Sequence, residues 1–535
     1  MSNSAVTTRT PEQTLFRRNL FMFSLGTIGR DFLFNFFNGF LLSFILLTKN
    51  LTTAQFGSIS AIIVAARIFD ALNDPIMGGI VESTHTKWGK YKPWQLIGAV
   101  TTGIVVVLLF NLPLYGWGFI GFLAISYFMF SITFSMNDIA YWGMLPSLTS
   151  DPNERNKLTS AAQICVGFGG GSSGIFIPLL TTGNVGTAVF GSVTRAFGVI
   201  AVFAAVAIVV FQLFTLFGVK EPNLAAAIEK KDRMKFKDIF RAILKNDQLL
   251  WAAICLLLTN TGTGVFTGGL SMMYVYFEFG YDGLLTVMIS ALSAFLSFLI
   301  PIVFPTLCKR WSRAKVLYFS STLAIMGYVS LMFVGLFVPN FGPFDVSLLG
   351  FDFHFTVKFI LLVLANGLTG AGAFYMIQTI NMANTVEYNE LRTGKREESL
   401  IFSLRPFANK MGSALSQGLV SLVYIVAGVL AYTNQISSIE NAYNKHVSLT
   451  AEEAAQKLSE ISSVLHSVPE WSKNVLLICM CLIPATFIAV SLILYKRFFF
   501  LDEKKMEEIN KELERRKQGS SDPSAILSSE TEQNA

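Results

Sequence analysis

Residues 54–94 read AQFGSISAIIVAARIFDALNDPIMGGIVESTHTKWGKYKPW. From Ala54 to Ile80 the run is apolar and long enough to cross a hydrocarbon core, which takes about 20 helical residues. Arg67, Asp70, Asn73 and Asp74 nevertheless lie inside it. A short loop with Lys87, Lys90 and Lys92 follows, and Pro93 opens a second apolar run. Two spans joined by a basic turn make a helical hairpin in a bilayer, so lipid rather than water is the solvent this stretch expects.

The rest of the chain agrees. It is 52% hydrophobic and only 14% charged, against roughly a quarter charged in soluble domains. Windows of membrane-crossing length fall near 19–48, 54–80, 93–111, 117–145, 158–181 and 193–219. A second set falls near 249–278, 283–306, 316–338, 356–385, 399–432 and 474–495. The expected fold is an all-α membrane protein of twelve transmembrane helices in a 6+6 plan. A tail over 1–18 precedes a six-helix bundle over 19–219, and a charged linker over 220–248 leads to a second bundle over 249–495. A polar insert at 433–473 interrupts that bundle, and 496–535 forms the C-terminal tail, helical over 502–517 and disordered from 519. The insert reads as a solvated loop with an amphipathic helix over Ser448–Leu465, a lid or partner surface being the alternative.

Lysine and arginine gather in the connections on one side: Lys87, Lys90 and Lys92, Arg155 and Lys157, the linker, Lys309 to Lys315, and Arg392 to Arg396. The loops near 112–116, 182–192 and 339–355 have none. That asymmetry puts both termini in the cytoplasm of a cell-membrane protein. The net charge of +6 is spread over these loops and gives no nucleic-acid patch. Cys165, Cys255, Cys308, Cys479 and Cys481 lie in or beside apolar runs without metal or disulfide spacing.

Ionisable residues inside a membrane cost a few kcal/mol each and usually face a cavity or a partner. Asp31, Asp70, Asp74 and Asp138 are such residues, with Arg30, Arg67, Arg405 and Lys410 as candidate partners. Asp70 and Asp74 are four apart and share a helical face, with Arg67 one turn earlier. Two carboxylates so placed repel unless a cation or proton sits between them, and Asn73 can add an amide oxygen. An ion-pair network in which Arg67 neutralises one acid is the structural alternative. Ser131, Ser135, Asp138 and Trp142 lie on one stripe of the fourth span. A carboxylate accepts paired sugar hydroxyls, and an indole covers an apolar sugar face; polar glue between helices explains the stripe equally well. Lys410 shares a stripe with Ser399, Ser403 and Ser413 and is expected to pair with the acids.

Asp70-Ala-Leu-Asn-Asp74-Pro75 through Lys87-Trp-Gly-Lys90-Tyr-Lys-Pro93-Trp94 resembles the signature of the glycoside–pentoside–hexuronide cation symporters, a branch of the major facilitator superfamily. Gly29-Arg30-Asp31-Phe32, Asp138-Ile-Ala-Tyr-Trp142, Asn246-Asp247-Gln248-Leu249, Asn384-Thr-Val-Glu387-Tyr388 and Asn409-Lys410-Met-Gly412 extend the resemblance from about residue 18 to residue 500. The resemblance implies symport of a sugar or glycoside with sodium or a proton, and no cofactor. It implies a cation site of Asp70, Asn73, Asp74 and Ser135, the two acids binding the metal if sodium is the ion. Asp31, Asp138 and Trp142 would hold the sugar, and Lys410 and Arg67 would serve coupling. Gln163 stands where the melibiose-transporting branch has a span 5 arginine, and Tyr375 where it has a span 10 tryptophan. The sugar side is thus where this chain departs from that branch.

Three other functions are compatible with a polytopic membrane chain. A membrane-embedded enzyme is disfavoured because His85, His354, His446 and His466 all fall in loops or at their edges. A passive channel would need a filter segment that is not apparent. A transport-inactive sugar sensor using the same cavity stays open.

Overall fold

A computed structural model describes residues 11–84, 86–149, 151–220, 246–338, 344–348, 351–370, 373–394, 398–445 and 449–517. Helices α1 (Pro11–Leu25) and α2 (Thr27–Thr48) make the first span, and α3 (Thr53–Glu82), α4 (Lys92–Asn111), α5 (Gly116–Leu148) and α6 (Pro152–Thr181) the next four. A short helix α7 (Gly183–Phe190) leads to the sixth span, α8 (Val193–Leu213). The second half begins with α9 (Asp247–Val265), continued through a π-turn by α10 (Ser271–Phe279). Then come α11 (Gly283–Arg310), α12 (Arg313–Phe337), strands β1 (Phe344–Leu348) and β2 (Phe351–Phe355), and α13 (Val357–Gly370) with α14 (Ala373–Thr393). The eleventh span is α15 (Glu398–Val426). It is followed by α16 (Val429–Ala442), α17 (Ala451–His466), α18 (Glu470–Phe498) as the twelfth span, and a tail helix α19 (Glu503–Lys517).

Among the described residues nine helices are long and apolar enough to cross a membrane, and α15 with α16 forms a tenth, bent by 86°. α11 and the α13–α14 pair carry the shorter apolar segments Gly283–Ser297 and Val357–Leu368 and complete the twelve. Caps mark where spans begin. Thr52 and Gln55 make a reciprocal capping box before α3, and Asn246 accepts the Leu249 N–H before α9. In the first half α2 packs on α6 and α8, and α4 on α5 and α8; in the second, α9 packs on α15 and α18. The halves meet along α3 with α15, α6 with α11, and α2 with α16.

The span 5 glycines divide by task. A Cβ on Gly169 would come within 2.3 Å of the Ile28 carbonyl oxygen, so α6 and α2 touch backbone to backbone there. Gly167, Gly171 and Gly174 have open space instead.

One loop has structure of its own, and one expectation needs correcting. The loop before the tenth span contains an antiparallel hairpin pairing Phe344 with Phe355 and Leu348 with Phe351. The 433–473 insert is not a solvated loop: α16 and α17 pack on the end of the bundle through the buried ion pair of Glu440 and Lys457, at 2.7 Å. The physical reason is that polar residues of α16 meet backbone groups of the first half, which composition alone does not reveal. The tail helix is present over Glu503–Lys517 as expected. Linker residues 221–245, His85, Lys395, Arg396, His446 and the segment from residue 518 lie outside the described residues.

Candidate functional site

Two clusters of partly buried charge are built on first-half helices, joined by one turn of α5. The first is built on α3. Asp70 and Asp74 project from one face, and Ser135 of α5 donates to both, at 3.3 Å and 2.8 Å. Ser131, one turn earlier on α5, donates to Asp70 at 2.7 Å. Lys410 of α15 reaches across from the other half, 2.9 Å from the Asp70 carboxylate and hydrogen-bonded to Asp74. Two acids and one ammonium leave a net single negative charge. Asn73 is buried beside them, and its amide nitrogen has no hydrogen-bond partner. Pro75 has no N–H, so the Ala71 carbonyl loses its intrahelical donor next to Asp70. Oxygens of this kind (carboxylate, hydroxyl, amide, carbonyl) are what a small hard cation takes. Arg67 lies one turn before Asp70 on α3, and the Tyr127 side chain is among its neighbours.

The second centre is built on α2 and α5. Arg30, only 2% exposed, lies 2.8 Å from Asp31 and 3.2 Å from Asp138. Its guanidinium also sits over the rings of Tyr141, at 4.6 Å, and Trp142, at 5.4 Å. The Tyr141 hydroxyl donates to the Phe23 carbonyl at 2.6 Å, which fixes the ring beneath the guanidinium. Asp138 keeps 40% of its side chain exposed, so its carboxylate is neutralised from behind and open in front. Here again two acids share one cation. Asn35 and Asn38, which lie on the same helix as Asp31, donate to the Asp31 and Phe34 carbonyls of their own helix.

Of the expected residues, Asp70, Asp74, Ser135 and Lys410 come together, and Asp31, Asp138 and Trp142 gather round Arg30. Gln163 is exposed on α6. Tyr375 lies on α14, and its side chain is outside the described residues, as are those of Ser399 and Ser403. Sequence reasoning underrated Arg30, Tyr141 and Ser131. Arg30 and Tyr141 each adjoin a named site residue in the chain, and Ser131 shares the Ser135 stripe; those were the available signals.

Residues 22–503 match the family model described as MFS/sugar transport protein. The lactose permease of Lactobacillus helveticus is 28% identical over 427 residues, which cover 76% of this chain and 62% of that protein. The raffinose carrier protein of Pediococcus pentosaceus is 27% identical over 506 residues, covering 92% of this chain and 71% of that one. The chain thus spans less than two thirds of the first of these relatives. The crystal structure of a D-xylose-proton symporter is similar in fold, with a TM-score of 0.55 at 13% identity over 86% of this chain and 99% of that chain.

Proposed function

The chain belongs to the MFS/sugar transport protein family, and from that premise we propose that it carries a sugar or glycoside across the cell membrane in symport with sodium or a proton. The observation that carries the reading is Lys410, a cation supplied by one half and seated between two carboxylates of the other. An incoming sodium ion or proton competes for the same carboxylates. When it binds, the Asp70–Asp74 repulsion is relieved without the ammonium, and the link between the halves loosens. One monovalent cation also matches the single negative charge left at that centre.

The sugar binds at the second centre. Asp31 and Asp138 accept hydroxyl protons, Arg30 holds both carboxylates in place, and Trp142 covers an apolar ring face. Gln163 and Tyr375 are the residues through which this chain would differ from the melibiose-transporting branch in the sugar it prefers. Ser135 and Asp138 stand one turn apart on α5, so a shift of that turn on cation binding is felt at the sugar carboxylate. Both termini are cytoplasmic on the lysine and arginine asymmetry of the loops. Transport then proceeds by alternating access of one cavity between the halves.

Coupling is reciprocal: if the cation raises sugar affinity, the sugar raises cation affinity by the same factor. Equilibrium binding of labelled lactose, raffinose and other glycosides to purified protein, with and without sodium and at two pH values, tests the proposal. One of these cations should tighten binding of one sugar by about fivefold or more. Sugar binding indifferent to both would overturn the symport reading. Cation-dependent binding without uptake would favour the sensor.

A further inference from the structure

The eleventh span ends at Val426, on the side opposite the termini. Gly428 takes φ of 66°, the left-handed region that a Cβ disfavours, and α16 leaves α15 at 86°. α16 therefore lies across the end of the bundle and packs on α2 of the other half. Asn434, Ser438 and Asn441 follow one another at i, i+4 and i+7 on one stripe of it. Asn434 accepts the Leu51 N–H and donates to the Leu51 carbonyl, each at 2.9 Å. Asn441 donates to the Thr48 carbonyl at 3.0 Å, and Asn50 donates to the Ser438 hydroxyl at 3.1 Å.

Glu440, also on α16, is 0% exposed and is paired with Lys457 of α17, itself 1% exposed. The carboxylate also accepts the Val193 N–H at 2.9 Å and the Tyr281 hydroxyl at 3.3 Å. The ammonium donates to the Gly191 carbonyl at 2.9 Å. A dry ion pair stands only while such partners saturate it. Val193 and Gly191 belong to the first half, whereas Glu440 and Lys457 belong to the second. The pair is complete only when the two halves are together at this end.

We infer that α16 and α17 form a latch, an insert of the second half that holds the carrier shut on the face opposite the termini. The inference rests on the alternating-access reading. Each time that face opens, α16 lifts from Thr48–Leu51 and from Gly191–Val193. The ion pair travels with the second half, loses its two partners from the first, and takes up water in their place. The latch thereby sets how often this face opens, independently of the cation and sugar centres.

Ser43 supplies the reporter, since its hydroxyl is buried against Met272 of the opposite half at 3.4 Å. Labelling of Ser43→Cys by a membrane-impermeant maleimide from the latch side, with the chain lacking that cysteine as control, reads opening without any sugar. Adding Asn434→Ala with Asn441→Ala removes hydrogen bonds between the halves and leaves every charge in place. Labelling should then quicken by about tenfold. An unchanged rate in folded protein would overturn the latch.

A second arm does not depend on destabilisation. Asn50→Cys with Ser438→Cys allows a disulfide across the contact, which should stop uptake until a reductant restores it. Uptake that continues in fully crosslinked protein also overturns the latch. A mistaken sugar or cation would silence uptake in every form yet leave the labelling result readable, so the two failures are distinguishable.

Discussion

Lys410 holds two carboxylates of the opposite half, and the proposed coupling rests on that geometry. Asp74→Asn keeps the shape of the site but removes the excess negative charge, leaving Lys410 and Asp70 as a neutral pair. Cation-stimulated uptake should fall by at least about tenfold, because a buried cation then has no net charge to meet. Stimulation that survives in Asp74→Asn would remove Asp74 from the cation site. Arg30 is the corresponding residue of the proposed sugar centre, spanning Asp31 and Asp138 over two aromatic rings. Arg30→Lys keeps the charge but loses the planar fork and the stacking. The half-saturation concentration for sugar should rise by about tenfold, with cation dependence retained. An unchanged concentration would make Arg30 a structural counter-ion only.

At the scale of elements, α5 is the connecting part, with Ser131 and Ser135 facing the α3 acids and Asp138 and Trp142 facing Arg30. Gly428 is the residue that makes α16 possible. Gly428→Val places a β-branched side chain in the left-handed region at a cost of about 1–2 kcal/mol, and should lower thermal stability. An unaltered melting temperature would mean that the turn is not strained by a side chain. The tail helix α19 docks differently, through Glu503 on Arg313 at 3.2 Å and Arg516 on the Leu391 carbonyl at 2.7 Å. Burial raises the Glu503 carboxyl, but the Arg313 N–H, the helix's own N–H and the guanidinium outweigh it and hold the group below its ordinary value. Such a carboxylate stabilises docking at neutral pH, and the contribution is lost as pH falls below the ordinary carboxylate range. Proteolysis of the tail should therefore quicken on acidification in the native chain and be quick at all pH values in Glu503→Gln. Identical pH profiles would assign the docking to Met506, Ile509 and Leu513 alone.

For the whole molecule, the twelve-span plan was legible because lipid demands long apolar helices, and no other reading of the segments around Asp70–Trp94 satisfies their backbones. The charged residues were legible for the same reason: Asp31, Asp70, Asp74, Asp138 and Lys410 stand out where charge is costly. Their pairing was less so. Lys410 could have met any of the four acids, and contacts across the halves depend on how two bundles close, not on helical spacing. The insert was misread because Asn434, Glu440, Asn441 and Lys457 look solvated in a sequence, and only the fold supplies their buried partners.

Accumulation in sealed vesicles is the most direct measurement of cation-coupled sugar transport. Labelled lactose and other glycosides would be offered under an imposed sodium gradient, an imposed pH gradient, and neither. A membrane potential of about 100 mV adds roughly 2.3 kcal/mol for each charge carried in. One sugar should therefore concentrate inside above its outside level when one gradient is present, and only equilibrate when both are absent. Uptake that never exceeds equilibrium under either gradient, in protein that binds the sugar, would contradict symport through the Asp70, Asp74 and Lys410 centre.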